Sequence, residues 1–202
     1  MSNPPHRDEE FRNGMPFFGG SLWLDLLNTE MNDGTVAADF VGTVDALKEW
    51  LAAAEIETPP ADAGGGQHAV CELRDLLRTA VVPLREGKPL PDQLLAALNT
   101  QLGAVSLRFQ LSQSAHGLQL DQRLDTGAAG LAGALAEDFA RFVCDFEPAR
   151  LKSCSNPACT MVFYDRGKNA TRRWCTMSIC GNRDKVARYR ARKSGGRLEA
   201  GR

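Results

Sequence analysis

The sequence predicts an α+β protein, with a mainly helical N-terminal domain that carries a β-hairpin or small antiparallel sheet and a small cysteine-bearing module at the C-terminus. Three observations support this class. Apolar residues recur at helical spacing through most of the first 147 residues, one short region alternates apolar and polar side chains, and four cysteines form two matched pairs. With 202 residues, the chain can form one domain and an appendage. We divide it into a tail (1–13), a body (14–147) and a C-terminal module (148–202).

Apolar periodicity predicts four helices in the body. They cover residues 43–54, residues 69–85, a stretch that begins near Pro91, and residues 131–146. Thr43 is the expected cap of the first helix, and a loop rich in Pro, Ala and Gly occupies residues 59–66. Residues 21–29 form either a short helix that Ser21 could cap or a strand. Trp23 and Trp50 are candidate core residues.

The period changes to two in the middle of the chain. Residues 105–112 alternate apolar and polar side chains, and residues 118–121 do so again after a turn. Alternation of this kind is typical of strands that have one buried and one solvated face. It predicts a β-hairpin with one face packed on the core.

Two cysteine pairs near the C-terminus have equal spacing, with four residues inside each pair. They are Cys154 and Cys159, then Cys175 and Cys180. Two short loops that each supply two thiolates can close a tetrahedron around a soft divalent cation, for which Zn²⁺ is the expected ion. Because four sulfur ligands leave no position for substrate, this site would be structural. Cys71 and Cys144 stand singly in helical patterns and are expected to be small buried residues.

Charge is distributed unevenly along the chain. Residues 1–149 carry 10 Lys+Arg and 22 Asp+Glu, whereas residues 150–202 carry 14 and 3, so a net charge of −1 combines −12 with +11. Such asymmetry suggests a basic appendage that binds an anionic partner. Attraction between the two halves would explain the same asymmetry, so charge alone leaves both interpretations open.

A basic helix is predicted from Cys180 to about residue 193. Its cations cluster within about 60° on the helical wheel, where they could meet phosphate. The predicted nucleic-acid contacts are Lys185, Arg188 and Arg192, assisted by Arg172 and Arg173. Val186 and Tyr189 share another face and are expected to pack on the module. Simple solvation of this helix is the competing interpretation, and Arg172 and Arg173 could instead stabilise the thiolate cluster.

Three polar residues, Asp25, Asn28 and Thr29, are embedded in an apolar stretch near the N-terminus. If that stretch is buried, each needs a hydrogen-bonding partner. They could line a pocket for a small ligand that controls the module, or they could fix the fold through bonds from side chain to backbone. The sequence leaves both open.

Catalysis, secretion and membrane insertion find no support in the sequence. The three histidines lack a Cys or Ser partner, and the Gly64-Gly65-Gly66 run lacks the Lys-Ser/Thr of a phosphate-binding loop, so we predict no enzymatic activity. No segment approaches the roughly 18 uncharged apolar residues of a membrane span, and the first twenty residues contain no apolar signal region. These features predict a cytoplasmic protein, in which thiols stay reduced and favour metal.

Residues 150–193 resemble the CGNR zinc-finger family, which is named for the tetrad that stands here at residues 180–183. Further matches are the C-x4-C pair, Phe163-Tyr164-Asp165, Arg173-Trp174-Cys175 and Lys185. Phe18-Gly19-Gly20 and residues 24–29 are similar to the N-terminal signature of the same bacterial proteins, in which a domain called ABATE precedes the finger. Asn182 and Arg183 directly follow a ligand cysteine, so we expect them to have a local structural role.

The resemblance implies a treble-clef-like finger with structural zinc and a DNA-binding transcription regulator. A small-molecule effector and a second copy of the chain are further candidate partners. Two other functions stay open: binding of RNA, and a small-molecule-binding or enzymatic N-terminal domain in which the finger is purely structural.

Overall fold

The computed structural model describes residues 10–56, 63–115, 117–126 and 130–199. Within these ranges the body contains helices α1 (Leu22–Leu27), α2 (Val44–Ala53), α3 (Ala63–Arg85), α4 (Asp92–Gly103) and α5 (Gly130–Asp145). It also contains the antiparallel pairs β1 (Phe11–Arg12) with β2 (Met15–Pro16), β3 (Glu30–Asn32) with β4 (Ala37–Asp39), and β5 (Ser106–Ser114) with β6 (Gly117–Asp125). The module contains β7 (Leu151–Ser153) paired with β8 (Val162–Tyr164), then α6 (Asn182–Glu199). The predicted α+β class is confirmed.

The core of the body lies between α1, α3 and α5, which pack on one another around aromatic side chains. Trp23 is completely buried and meets Phe139 edge-on, with ring centroids 5.0 Å apart. Trp50 is also completely buried and stacks on Phe17 at 6.0 Å. Both tryptophans therefore occupy the core, as the sequence predicts, and they join α1 and α2 to the rest of the body.

Several local predictions are confirmed and others are wrong. Thr43 caps α2 by accepting the Ala46 N–H at 3.2 Å, whereas Ser21 precedes a true helix without making a cap bond. Residues 63–66, predicted as loop, begin α3; residues 57–62 lie outside the described part of the chain. The predicted tail is described only from residue 10, where its last residues form β1. Cys144 is exposed rather than buried, because it lies on the solvent side of α5.

The β5–β6 hairpin forms as predicted, but its predicted packing on the core is wrong. Its nine rungs pair Ser106 with Asp125 at one end and Ser114 with Gly117 at the other. The two strands pack extensively only on each other, and their apolar side chains are exposed. The hairpin therefore projects from the body as a two-stranded ribbon. No helix in the described part of the chain has the length and apolar character needed to cross a bilayer.

The C-terminal module is packed directly against the body. Leu151 of β7 is buried in the main core, and Val162 and Tyr164 of β8 pack against the same cluster. In the other direction, Phe18 from the body is buried in the small core of the module, beside Met161 and Phe163. Each part thus contributes side chains to the core of the other, so their positions are fixed relative to each other.

Candidate metal centre and the contacts around it

The four paired cysteines converge on one point in the module. Their Sγ atoms all lie within 4.8 Å of one another, and those of Cys159 and Cys175 are 3.8 Å apart. A tetrahedron with metal–sulfur bonds of about 2.3 Å has edges of about 3.8 Å, which is the separation required for Zn²⁺. Cys154, Cys175 and Cys180 are buried and Cys159 is half-buried, so the thiols are shielded from solvent. The geometry and the all-thiol donor set fit a structural tetrahedral metal ion.

The thiols interact strongly with one another without metal. Hydrogen bonds from the neighbouring thiols of Cys159 and Cys175 lower the pKa of Cys154 to about 2. The same interaction raises the pKa of Cys159 to about 12 and raises that of Cys175 as well. The proton of Cys154 is therefore lost easily, whereas those of Cys159 and Cys175 are retained. A divalent cation that neutralises the thiolates would resolve this competition.

The loops that carry the thiols are held by backbone bonds. The Cys154 N–H donates to the Met161 carbonyl at 2.9 Å, and the Ser155 N–H donates to the Arg173 carbonyl at 2.8 Å, so the two cysteine loops are bonded to each other. The Asn156 amide donates to the Cys180 sulfur at 3.5 Å. Cys180 lies in one wide helical turn, Met177–Gly181, from which the chain enters α6.

Asp165 anchors the segment between the two cysteine pairs. Its buried carboxylate accepts the Lys152 ammonium at 2.9 Å, the Arg172 N–H at 2.8 Å and the Gly167 N–H at 3.0 Å. Burial opposes its ionisation, but these donors prevail and lower the pKa of Asp165. Asp165 therefore remains a carboxylate and fixes the loop that delivers the second pair of thiols.

Asn28 joins the body to the module. Its side-chain amide donates to the Val162 carbonyl at 2.8 Å and accepts the Val162 N–H at 3.0 Å. The amide thus pairs with the backbone of β8 as an adjacent strand would. Asn28 is almost fully buried, and these two hydrogen bonds satisfy its polar atoms. Its position therefore supports the structural interpretation of this residue.

Phe18-Gly19-Gly20 forms a second connection between the two parts. The Gly19 carbonyl accepts the Tyr164 N–H at 2.7 Å, and the Gly20 carbonyl accepts the Arg166 Nε–H at 3.0 Å. A Cβ on Gly19 would lie 2.6 Å from the Cβ of Leu24, and Gly20 has φ of +90°. Because side chains are excluded at both positions, only glycine allows the backbone to approach the module this closely.

Arg183 forms a third connection, which reaches the β3–β4 turn. Its guanidinium donates to the Asp33 carbonyl and, at 3.1 Å, to the Asp33 carboxylate. Burial opposes ionisation of Asp33, but bonds from the Val36 N–H and from Arg183 lower its pKa. Asn182 donates locally to the Ser178 carbonyl at 3.0 Å. Arg183 therefore connects the start of α6 to the body, and Asn182 stabilises the turn before the helix.

Arg172 and Arg173 lie in different environments. The Arg172 guanidinium lies 4.2 Å from the ring centroid of Phe163 and donates to the carbonyls of Phe18, Trp174 and Cys175. Burial lowers the pKa of Arg172. Arg173 is exposed and lies over the Trp174 ring at 4.8 Å. Because Arg172 uses its donors inside the protein, only Arg173 is placed for an external partner.

The basic helix α6 is exposed from Lys185 to Lys193. Val186 and Tyr189 are 47% and 66% exposed, so the prediction that they pack on the module is wrong. The helix leaves the module after its first turn, so these two side chains lie in solvent. Arg188 pairs with Asp184 at 2.8 Å on the helix surface. Lys185, Arg188 and Arg192 therefore lie on a projecting, solvent-facing rod.

Thr29 is explained by a buried arginine that the sequence analysis did not single out. The Thr29 hydroxyl donates to the Leu26 carbonyl at 2.6 Å and accepts the Arg74 guanidinium at 3.0 Å. Arg74 is buried and makes two further bonds, of 2.6 and 2.9 Å, to the Asp39 carboxylate. The only sequence signal is one arginine inside the apolar face of α3, which by itself does not reveal a buried ion pair.

A cavity of about 1030 Å³ lies between the body and the module. Asp25 lines this cavity, whereas Asn28 and Thr29 do not.

The lining of the cavity is of mixed chemistry. Its apolar wall includes Phe17 and Trp174, and the exposed cations Lys168 and Arg173 lie on the module side. Ser21 also lines the cavity, and its hydroxyl is buried without a hydrogen-bond partner within the described ranges. The cavity thus combines aromatic surface, positive charge and an unsatisfied polar group.

The fold and the site define a class of protein: a helical α+β body fixed to a four-cysteine finger that bears an exposed basic helix. The CGNR zinc finger profile matches residues 150–193. The ABATE profile, described as "Putative stress-induced transcription regulator", matches residues 20–145. The chain therefore belongs to the ABATE family and carries a CGNR zinc finger at its C-terminus. No curated protein matches the chain.

Proposed function

We propose that the protein is a cytoplasmic, non-enzymatic transcription regulator that binds duplex DNA through α6, with Zn²⁺ held by Cys154, Cys159, Cys175 and Cys180. The observation that carries this proposal is the exposure of α6. From Lys185 to Lys193 the described part of α6 is exposed, and a helix that presents Lys185, Arg188 and Arg192 to solvent is suited to a polyanion. An α-helix fits the major groove of B-form DNA, where lysine and arginine can bind phosphates and guanine edges.

The rigid connection between body and finger supports regulation. Arg183, Asn28 and Gly19 fix the finger to the body, so a change in the body can alter the orientation of α6. Arg173 lies beside the finger loop and can assist phosphate binding, whereas we assign Arg172 to holding the finger on Phe18. Charge attraction between acidic body and basic helix would make binding by the isolated finger stronger than binding by the full chain.

Removal of the three helix cations should reduce DNA binding and its salt dependence. With Lys185, Arg188 and Arg192 changed to alanine, we expect the slope of log K against log salt to fall by about 2.7, because each neutralised phosphate contributes about 0.9. Fluorescence anisotropy of a labelled DNA duplex, titrated with zinc-loaded protein at several salt concentrations, measures this.

A matched control changes three exposed cations of the body, Lys48, Lys88 and Arg141, to alanine. It alters the net charge equally and should leave the slope unchanged. Equal effects of the two triple variants would contradict a specific role of α6. Stronger competition by duplex RNA than by duplex DNA would favour the RNA-binding alternative. Absence of salt-dependent binding would support a purely structural finger.

We further propose that the cavity beside Asp25 holds a small effector with an aromatic ring and an anionic group. The ring would pack against Phe17 and Trp174, the anion would face Lys168 and Arg173, and the Ser21 hydroxyl would gain its missing partner. Because body and finger both line the cavity, bound effector would change how firmly the finger is held.

Thermal-shift measurements with salicylate and other small aromatic carboxylates test the effector site. At least one compound should raise the Tm of zinc-loaded protein, and the rise should be lost when Lys168 and Arg173 are both changed to glutamate. Lys48→Glu with Lys88→Glu provides the control at exposed positions of the body. A rise that persists in the cavity variant would place binding elsewhere.

A further inference from the structure

The β5–β6 ribbon has one face made only of apolar and glutamine side chains and one face that carries charged side chains. The cross-strand rungs Leu107–Leu124, Phe109–Gln122, Leu111–Leu120 and Gln113–Leu118 share one face, because alternate residues of a strand point the same way. The other face carries Arg108, Gln110, Asp121 and Arg123, and its ion pair joins Arg108 to Asp125. We call the first set of eight residues the apolar ribbon face.

The apolar ribbon face is uncovered in the single chain. Its large side chains are exposed by 37 to 71%, the extremes being Leu124 and Leu118. A two-stranded hairpin in water is at best marginally stable, and it normally needs a third strand or a packing partner. Burial of the face would therefore stabilise the ribbon itself, in addition to any complex that it forms.

The size of the face matches one half of a protein–protein interface. At about 200 Å² for a fully exposed large apolar residue, the six apolar residues present on the order of 650 Å². A standard interface buries about 800 Å² per partner. The flanking Gln113, Gln122 and strand edges would supply the remainder.

We propose that the apolar ribbon face binds the same face of a second copy of the chain, which makes the protein a two-fold symmetric dimer. If the two ribbons stack in opposite directions, the Leu107–Leu124 rung faces Gln113–Leu118, and Phe109–Gln122 faces Leu111–Leu120. Each rung of one ribbon then faces a rung of the other that includes an apolar side chain, and no charge is buried. Both copies use the same surface, as an isologous interface requires. The charged faces of both ribbons remain in solvent. This inference does not depend on DNA binding.

Analytical ultracentrifugation of the full zinc-loaded chain tests the dimer. We expect a species of twice the 22.0 kDa chain mass at micromolar concentration. Leu111→Lys with Leu120→Lys, which places two charges at the centre of the face, should weaken dimerisation by at least 100-fold. Gln110→Lys with Gln119→Lys adds the same charge to the same strands on the opposite face and should leave the dimer intact.

A second variant tests the dimer independently of whether the lysine variant folds its ribbon correctly. Replacement of residues 106–125 by a short Gly-Ser linker should give a monomer with an unchanged Tm of the body, because the strands pack extensively only on each other. A wild-type chain that is monomeric at 100 µM or a dimer that survives both the lysine variant and the ribbon deletion would overturn the proposal. Capture of a different protein by a monomeric wild-type chain would do the same.

Discussion

Replacement of Cys175 by serine, or removal of metal with a chelator, should unfold the C-terminal module and lower the stability of the whole chain. Metal ligation in comparable small modules contributes roughly 10–16 kcal/mol of apparent binding energy. The module has a small core, formed around Phe18, Met161 and Phe163, which cannot replace that contribution. We expect the treated protein to lose its protease-resistant module and bound zinc together.

The effect should extend into the body because the two cores are shared. Leu151 is fully buried in the main core, and Phe18 is buried in that of the module. Asn28 would also lose both of its hydrogen bonds to the Val162 backbone, each of which contributes about 0.5–1.5 kcal/mol. The body is therefore expected to remain partly folded with a lower Tm, rather than to behave as an independent domain.

Limited proteolysis, zinc content by mass spectrometry and thermal unfolding by circular dichroism provide the measurements. Cys144→Ser is the matched control, since Cys144 is exposed and is not one of the four cysteines that converge on the metal site. It should change none of the three. If Cys175→Ser protein kept stoichiometric zinc and a resistant module, the assignment of the metal site would be wrong.

The metal site could be predicted from the sequence because its information is local. The spacing of the four cysteines is enough to predict that their thiols converge on one metal ion, and no information on the body is needed. The same holds for the helices, whose apolar periodicity is a property of a short window. Long-range contacts could not be predicted in this way: Arg183 lies three residues after a ligand cysteine, yet its partner, Asp33, lies 150 residues away. Sequence reasoning therefore gave Arg183 a local role, whereas its actual role is to join the two parts.

Two surfaces illustrate a different limit. Alternation in the β5–β6 ribbon and the apolar residues Val186 and Tyr189 in α6 were both interpreted as contacts with the protein's own core. An apolar face predicts that something covers it, but the pattern does not identify the partner. Both surfaces are exposed in the described part of the chain, so each is available to a partner.

Asp25→Asn should gain stability relative to the wild type as the pH rises from 5 to 8. Burial, offset in part by the Gly19 N–H and by Arg12, raises the pKa of Asp25 from 3.8 to about 7. The nearby Asp138 raises it further, and Arg172 opposes that shift. The folded protein therefore retains a proton that the unfolded chain releases between about pH 4 and 7. The free energy of unfolding of the wild type must consequently fall as pH rises through this window.

Asparagine has no proton to lose, and its side-chain oxygen can still accept the Gly19 N–H, which lies 2.8 Å from Asp25 Oδ1. The stability of the variant relative to wild type should increase by about 3 kcal/mol between pH 5 and pH 8, since about two pKa units of the shift are titrated in that range at about 1.4 kcal/mol each. Urea denaturation at pH 5, 6, 7 and 8 measures the difference. Groups with lowered pKa values, such as Asp33 and Asp39, titrate below this pH window. Their contributions to stability are the same in the variant and the wild type, so they do not affect the difference.

Asp45→Asn is the control for the Asp25 variant, because the Asp45 side chain is 87% exposed and its pair with Lys48 lies on the surface of α2. Its stability should parallel that of the wild type at every pH. A difference between Asp25→Asn and wild type that did not grow with pH would show that Asp25 is ionised in the folded protein. That outcome would assign it a solvated position in the cavity, whereas the expected one would show that Asp25 is largely protonated in the folded protein below about pH 7.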